Sequence, residues 1–207
     1  MNKTSYQAQL DAIIDKNRLG GITPSLFLHV CCAPCSSYVL EYLSQFFRIT
    51  VFYYNPNISP CEEYLKRKSE LTRLIKEMCF QNPVSIVDCD YDSKDFFDVV
   101  KGFEHCAEGG ERCFKCYDLR LRLTAKKALE CGMDYFASTL SISPLKNADK
   151  LNEIGQGLAS EYGVQWLPND FKKKEGYKRS IELSRKYQLY RQDYCGCIFS
   201  KQQKVSE

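Results

Sequence analysis

Residues 26–40 read LFLHVCCAPCSSYVL: an apolar run that stops at Val30, three cysteines in five residues, and then a helical pattern opened by Pro34. A short run apolar at nearly every position is a strand buried on both faces, as in a parallel sheet covered by crossover helices. Proline suits a helix's first turn, so the thiols of Cys31, Cys32 and Cys35 fall where a strand hands over to a helix. Working outward, three more runs resemble the first: ITVFYYN (49–55), VSIVDCD (84–90) and YFASTL (135–140). Between them lie helical patterns at 36–47, 62–78 and 117–132, the last closed by Gly132 in the place of a capping glycine. Strand and helix alternate, which predicts an α/β fold with a parallel sheet. Ligands of such sheets bind beyond the carboxyl ends of the strands. There the chain carries CCAPC, NPNISP, DCDYD and SISP, so one rim would collect thiols, amides and hydroxyls.

Bulk properties limit the rest. A chain of 207 residues, 44% of them hydrophobic, can bury the core of one domain. We expect an N-terminal extension over 1–24 and a single α/β domain over 25–207. From about 150 to 207 that domain becomes a basic helical segment packed on the sheet. The opening lacks the apolar core of a signal peptide and no apolar stretch reaches eighteen residues, so the cytoplasm is the expected location, with no membrane partner. Twelve cysteines without a secretion signal favour metal binding or redox chemistry over a disulfide scaffold. The formal net charge is only +3, yet residues 171–192 hold eight Lys or Arg against two Glu.

In EGGERCFKCYDLRLRL (108–123), Cys113 and Cys116 stand at i, i+3 where an amphipathic helix begins. That spacing places both sulfurs on one face, near a helix N-terminus that favours thiolates. Alone, the pair fits a redox dithiol, half of a zinc site or two structural cysteines. With Cys31 and Cys32 it supplies four thiolates, enough for tetrahedral zinc or an iron–sulfur cube. Adjacent residues of an extended chain point apart, which favours the separate corners of a cube. Cys35 is either a ligand to a second metal or a small helix residue. Cys195 and Cys197, one glycine apart, are a redox pair, terminal metal ligands or merely local thiols. Cys61, Cys79, Cys89, Cys106 and Cys131 form no ligand-spaced group, and His29 reads as a hydrogen-bonded core histidine.

The motifs HVCCAPCS, YYNPNISP, EGGERC..CY..RL, STLSISP, DFKKKEGYKRS and LYRQDYCGC follow one another across residues 29–197. Together they resemble the cobalamin-independent epoxyqueuosine reductases of the QueH type. The resemblance implies a fold of the HUP, or adenine-nucleotide α-hydrolase-like, type. It implies reductive removal of the epoxide oxygen from epoxyqueuosine at the wobble position of tRNA, the last step to queuosine. It further implies a 4Fe–4S cluster on Cys31, Cys32, Cys113 and Cys116 and an adjacent mononuclear iron near Cys35; beside it, the redox reading of Cys195 and Cys197 would make them a strained, redox-active disulfide when oxidised. An external ferredoxin- or flavodoxin-like electron donor would be a partner. The residue after CCAP is Asp in some members and Cys in others, so Cys35 replaces a harder ligand here.

Polar residues in these motifs become candidates for gripping the base: Tyr54, Asn55, Asn57, Tyr117, Arg120, Ser138, Thr139, Tyr190, Arg191 and Gln192. Turn chemistry and helix solvation would use the same residues. The basic segment would meet the tRNA backbone, with Tyr177, Tyr187 and Tyr190 stacking on unpaired bases, although a solvated helix with core tyrosines looks similar. Two rivals stand beside this reading. One is ATP-dependent tRNA sulfur transfer on a related fold, which needs a glycine-rich phosphate nest where CCAPCS stands; the other is a zinc-stabilised RNA-binding module.

Overall fold

The structure, a computed structural model, describes residues 5–87 and 89–205. Among these residues, strands β1 (Ser25–His29), β2 (Arg48–Phe52), β3 (Val84–Val87), β4 (Tyr135–Ser138) and β5 (Gln165–Trp166) form an all-parallel sheet in the order β3-β2-β1-β4-β5. The chain moves outward from β1 through β2 to β3, then returns to the other side of β1 with β4 and β5. The direction reverses between β1 and β4, and that crevice is where an open α/β sheet holds its ligand.

Helices α1 (Tyr6–Leu19), α2 (Ala33–Leu43), α3 (Cys61–Glu77), α4 (Lys94–Val100), α5 (Glu111–Glu130), α6 (Ala148–Tyr162), α7 (Gly176–Lys186) and α8 (Ile198–Val205) complete the described residues, with a 3-10 turn at Thr139–Ile142. Alternate strand residues serve opposite layers, as a period of two demands. Leu26 and Leu28 of β1 pack with Leu10, Ile14, Val39, Leu40 and Leu71 of α1, α2 and α3. Phe27 packs on the other face with Leu121, Ala125 and Ala128 of α5 and Leu151 and Leu158 of α6. Both faces are therefore covered, and this is why the strands read as continuous apolar runs.

The expected boundaries need correction in four places. The run 135–140 is strand only to Ser138, after which Thr139 and Leu140 enter the 3-10 turn, so Thr139 is not a strand residue. The run 84–90 is strand only to Val87, and Asp88 lies outside the described residues. Residues beyond 150 supply an edge strand, β5, besides helices; Trp166 buries its ring there against Phe136 at 5.1 Å. The stretch expected as an N-terminal extension carries α1, whose Leu10 and Ile14 enter the core. No helix among the described residues is long and apolar enough to cross a membrane.

Helix α5 ends as its sequence requires. Gly132 takes φ 62°, its N–H bonds the carbonyl of Leu129 at 3.0 Å, and Met133 N–H bonds that of Ala128 at 2.9 Å. This is a Schellman cap, which satisfies carbonyls left open at the helix end and turns the chain into β4.

Candidate functional site

Strand β1 ends at His29, whose ring is fully buried. Its Nδ1 lies 2.9 Å from Ser138 Oγ and its Nε2 3.0 Å from the carbonyl of Tyr54. Burial pushes the imidazole down to about 3, so it stays neutral and tethers β1 to β4 and to the end of β2 as the core histidine that was expected. Beyond it Val30 N–H still bonds the carbonyl of Phe52 at 3.0 Å, and the chain enters α2 at Ala33, with Pro34 in the first turn. The sulfurs of Cys31, Cys32 and Cys35 therefore converge, all within 4.8 Å of one another. The expectation that Cys31 and Cys32 point apart is thereby overturned: Cys31 Sγ lies 3.8 Å from Cys32 Sγ. Three thiols this close do not ionise together. Cys32 is held well below the ordinary thiol range by hydrogen bonds from Cys31 and Cys35, aided by Gln192 Nε2 at 2.8 Å. Cys31 is pushed up to about 11, chiefly by that same bond to Cys32.

The second group gathers beside α5. Cys113 and Cys116, in its first two turns, line a small recess with Cys195 and Cys197. Burial pushes Cys116 up to about 11 and Cys197 up to about 12. Several buried polar atoms on this recess lack a hydrogen-bond partner: Asn57 Oδ1, Tyr117 Oη, and Nε and Nη2 of Arg112. Cys31 packs against the core cluster that contains Cys113, which brings the two thiol groups toward each other across the crevice. Among the described residues, the sulfurs that all lie within 4.8 Å of one another are those of Cys31, Cys32 and Cys35.

A cavity of about 190 Å³ opens beyond the carboxyl ends of β1 and β4. Cys31, Cys35, Asn55, Asn57, Arg120, Arg191, Gln192 and Cys195 line it, and Asn57, Arg120 and Cys195 also line the recess. Arg120 is fully buried; its Nε donates to the carbonyl of Cys116 at 3.1 Å and its Nη1 to Asn55 Oδ1 at 3.4 Å. Asn55 Nδ2 donates in turn to the carbonyl of Val30 at 2.8 Å, so one guanidinium links both thiol groups to the cavity wall. The other candidates sit away from it. Tyr54 Oη donates to Asp95 Oδ2 at 2.8 Å. Ser138 Oγ is engaged by His29 and by the N–H of Leu140, and Thr139 is buried. Tyr190 Oη bonds Glu63 at 3.2 Å. These four belong to the packing and hydrogen bonding of the wall rather than to its surface.

The basic segment is partly consumed by the fold. Lys174 pairs with Asp11 of α1 at 2.8 Å, Arg179 with Glu41 of α2 at 2.8 Å, and Lys172 with Asp170 at 2.9 Å. Tyr187 packs against the core, whereas Tyr177 is 39% exposed and lines the cavity.

Two residues that sequence reasoning passed over are prominent. Arg67, 2% exposed, pairs with Glu63 at 2.7 Å and donates to the carbonyls of Cys195 and Tyr194. Lys146, 8% exposed, lines both cavity and recess, with its Nζ 3.0 Å from Cys195 Sγ and 3.1 Å from Glu108 Oε1. Burial opposes its charge, but Cys195, Tyr117 and Glu108 facing it hold the ammonium well above the usual lysine range. A lone lysine after SISPL carries no spacing signal, so only the fold reveals it.

Comparison with known proteins identifies the family. The profile of the epoxyqueuosine reductase QueH family matches residues 26–203. Epoxyqueuosine reductase QueH of Streptococcus pyogenes is 46% identical over 181 residues, covering 86% of this chain and 71% of that protein. The QueH of Staphylococcus epidermidis is 41% identical over 202 residues, covering 96% and 85%, and that of Thermotoga maritima 32% identical over 182 residues, covering 85% and 90%. Among solved structures, the U34-tRNA thiolase NcsA from Methanococcus maripaludis with its 4Fe-4S cluster superposes with a TM-score of 0.53. That match covers 94% of this chain and 67% of that one at 11% identity, so it shows the shared HUP-like fold alone. The chain belongs to the epoxyqueuosine reductase QueH family, and its activity is that of an oxidoreductase in queuosine biosynthesis.

Proposed function

We propose that the chain removes the epoxide oxygen from epoxyqueuosine at the wobble position of tRNA in the cavity beyond β1 and β4, with a 4Fe–4S cluster held by Cys31, Cys32, Cys113 and Cys116. The observation that carries this reading is the shared wall: Asn57, Arg120, Lys146 and Cys195 line both the cavity and the thiol recess, so a base in one meets the sulfurs of the other. Four thiolates are the ligand type such a cluster takes. The unpartnered Arg112, Tyr117 and Asn57 atoms around the recess fit a site shaped for a further group. The NcsA neighbour, on the same fold, holds a 4Fe-4S cluster.

Turning an epoxide into an alkene takes two electrons and two protons and releases one water. When bound, the cluster supplies single electrons and an iron beside it, at Cys35, a Lewis acid for the epoxide oxygen. The chain's own residues do the rest. Arg120 and Asn55 orient the base edge at the cavity floor, Arg191 and Gln192 close its side, and Tyr177 at the wall offers a stacking face for a neighbouring base. Lys146 places a positive charge where negative charge develops. Cys195 and Cys197 relay electrons as a dithiol, refilled by an external ferredoxin- or flavodoxin-like donor. ATP-dependent sulfur transfer fits less well, because Pro34 and three thiols stand where a phosphate nest needs glycines.

Protein purified without oxygen is expected to be brown and to contain iron and acid-labile sulfide. A colourless protein with stoichiometric zinc overturns the cluster and leaves the zinc-stabilised RNA-binding reading.

A further inference from the structure

Lys146 belongs to none of the thiol motifs, yet it sits where they meet. The 3-10 turn and the cap of α6 fix its backbone: Lys146 N–H bonds the carbonyl of Ser143 at 3.1 Å, and Asn147 caps the helix through Lys150 N–H at 3.0 Å. Its ammonium lies between Cys195 Sγ at 3.0 Å and Glu108 Oε1 at 3.1 Å. The other oxygen of Glu108 accepts from Ser200 Oγ at 2.8 Å, and Ser200 Oγ accepts from Cys195 N–H at 3.2 Å. These bonds close a ring around the Cys195–Gly196–Cys197 turn.

Within that ring the two sulfurs are treated differently. Cys195 lines the open cavity and faces a cation. Cys197 is 5% exposed, packs with Phe96 and Val100, and receives the N–H of Ser200 at 3.4 Å. Stability does not account for the lysine, since a buried ion pair is often no better for folding than apolar residues of the same volume. A fixed cation beside one sulfur of a pair does, however, promote attack by that sulfur, because the thiolate is the reacting form.

We propose that Lys146 is the positioning residue of the dithiol: its ammonium pairs with Cys195 Sγ and makes Cys195 the more nucleophilic of the two sulfurs, with Cys197 held behind it. The proposal rests on reading Cys195 and Cys197 as a working dithiol.

The test is anaerobic alkylation of the reduced, metal-loaded full chain with iodoacetamide at pH 7, resolved by peptide mass spectrometry. Exposed Cys61, Cys79 and Cys131 serve as internal rate references. Cys195 is expected to react faster than Cys197. Relative to the references, Lys146→Met is expected to slow Cys195 by about tenfold, and Lys146→Arg to keep most of the wild-type rate. Should Lys146→Met fold poorly with Glu108 left unpaired, the double variant Lys146→Met/Glu108→Gln removes both charges and is expected to show the same slowing. Equal Cys195 rates in wild type and in the folded variant lacking Lys146 overturn the proposal. Full turnover by Cys195→Ser overturns instead the dithiol reading on which it rests.

Discussion

At the residue scale the site depends on a few atoms that sequence spacing points to and a few it does not. Gly196 must be glycine: it takes φ 114°, and an added Cβ would stand 2.9 Å from Ile58 Cγ1 and 3.0 Å from Arg67 Nη1. Arg67 holds the carbonyl of Cys195, and Ser59 N–H bonds that of Gly196 at 2.9 Å, so the turn is clamped against α3 and the loop that enters it. Gly196→Ala is therefore expected to lower stability by about 1–3 kcal/mol in a denaturant titration. The thiols separate by role. Cys113→Ala is expected to lose iron, sulfide and turnover together, whereas Cys197→Ala keeps its iron and visible absorbance and loses turnover with a physiological donor. Cys35→Ala is expected to keep the sulfide content and lose about one iron per chain; an unchanged iron count would make Cys35 a helix residue and nothing more. Sequence alone shows that Cys31, Cys32 and Cys35 share a neighbourhood. It misjudges their directions: Cys32 keeps an extended backbone as the residue that caps α2, yet its sulfur lies 3.8 Å from that of Cys31.

At the scale of elements, the parts that bury both faces were legible. β1, β2 and β4 and helices α2, α3 and α5 announce themselves by continuous apolar runs or a 3.6-residue period, and Gly132 marks its helix end. The short or mostly polar elements were not: β5 has two residues, α4 seven, and α1 contributes little beyond Leu10 and Ile14 to the core. Likewise Tyr54 and Ser138 were candidates for gripping the base as polar residues of the family motifs, but Tyr54 Oη bonds Asp95 of α4 and Ser138 Oγ meets His29, tying β4 to β1. One staple of this kind is testable. Asp134 Oδ2, at the start of β4, accepts the N–H of Ser25 at 2.8 Å and its hydroxyl at 2.7 Å, joining β4 to β1. These bonds from Ser25 hold the carboxyl below its usual 3.8. A depressed carboxyl stabilises the fold above its unfolded value, and that contribution fades as pH falls through the folded value. Asp134→Asn is expected to cost about 1 kcal/mol at pH 7, discounted for exposure, with the gap from wild type closing below about pH 4 in pH-resolved melts.

At the scale of the whole molecule, the reversal of strand order between β1 and β4 explains why distant motifs meet. The thiols after β1, the 3-10 turn after β4, the start of α5 and the turn before α8 all converge on one crevice. The basic segment braces that crevice through Lys174 and Arg179 as much as it presents charge, so a tRNA contact would fall to Tyr177 and the cavity mouth. The most direct measurement is nucleoside mass analysis after anaerobic incubation of the metal-loaded chain with epoxyqueuosine-containing tRNA and a reductant, beside Cys113→Ala. The wild-type chain is predicted to convert the modified nucleoside to a product lighter by one oxygen, and Cys113→Ala to leave it unchanged. An unchanged nucleoside with the wild type, or gain of sulfur with release of pyrophosphate when ATP is supplied, would contradict it.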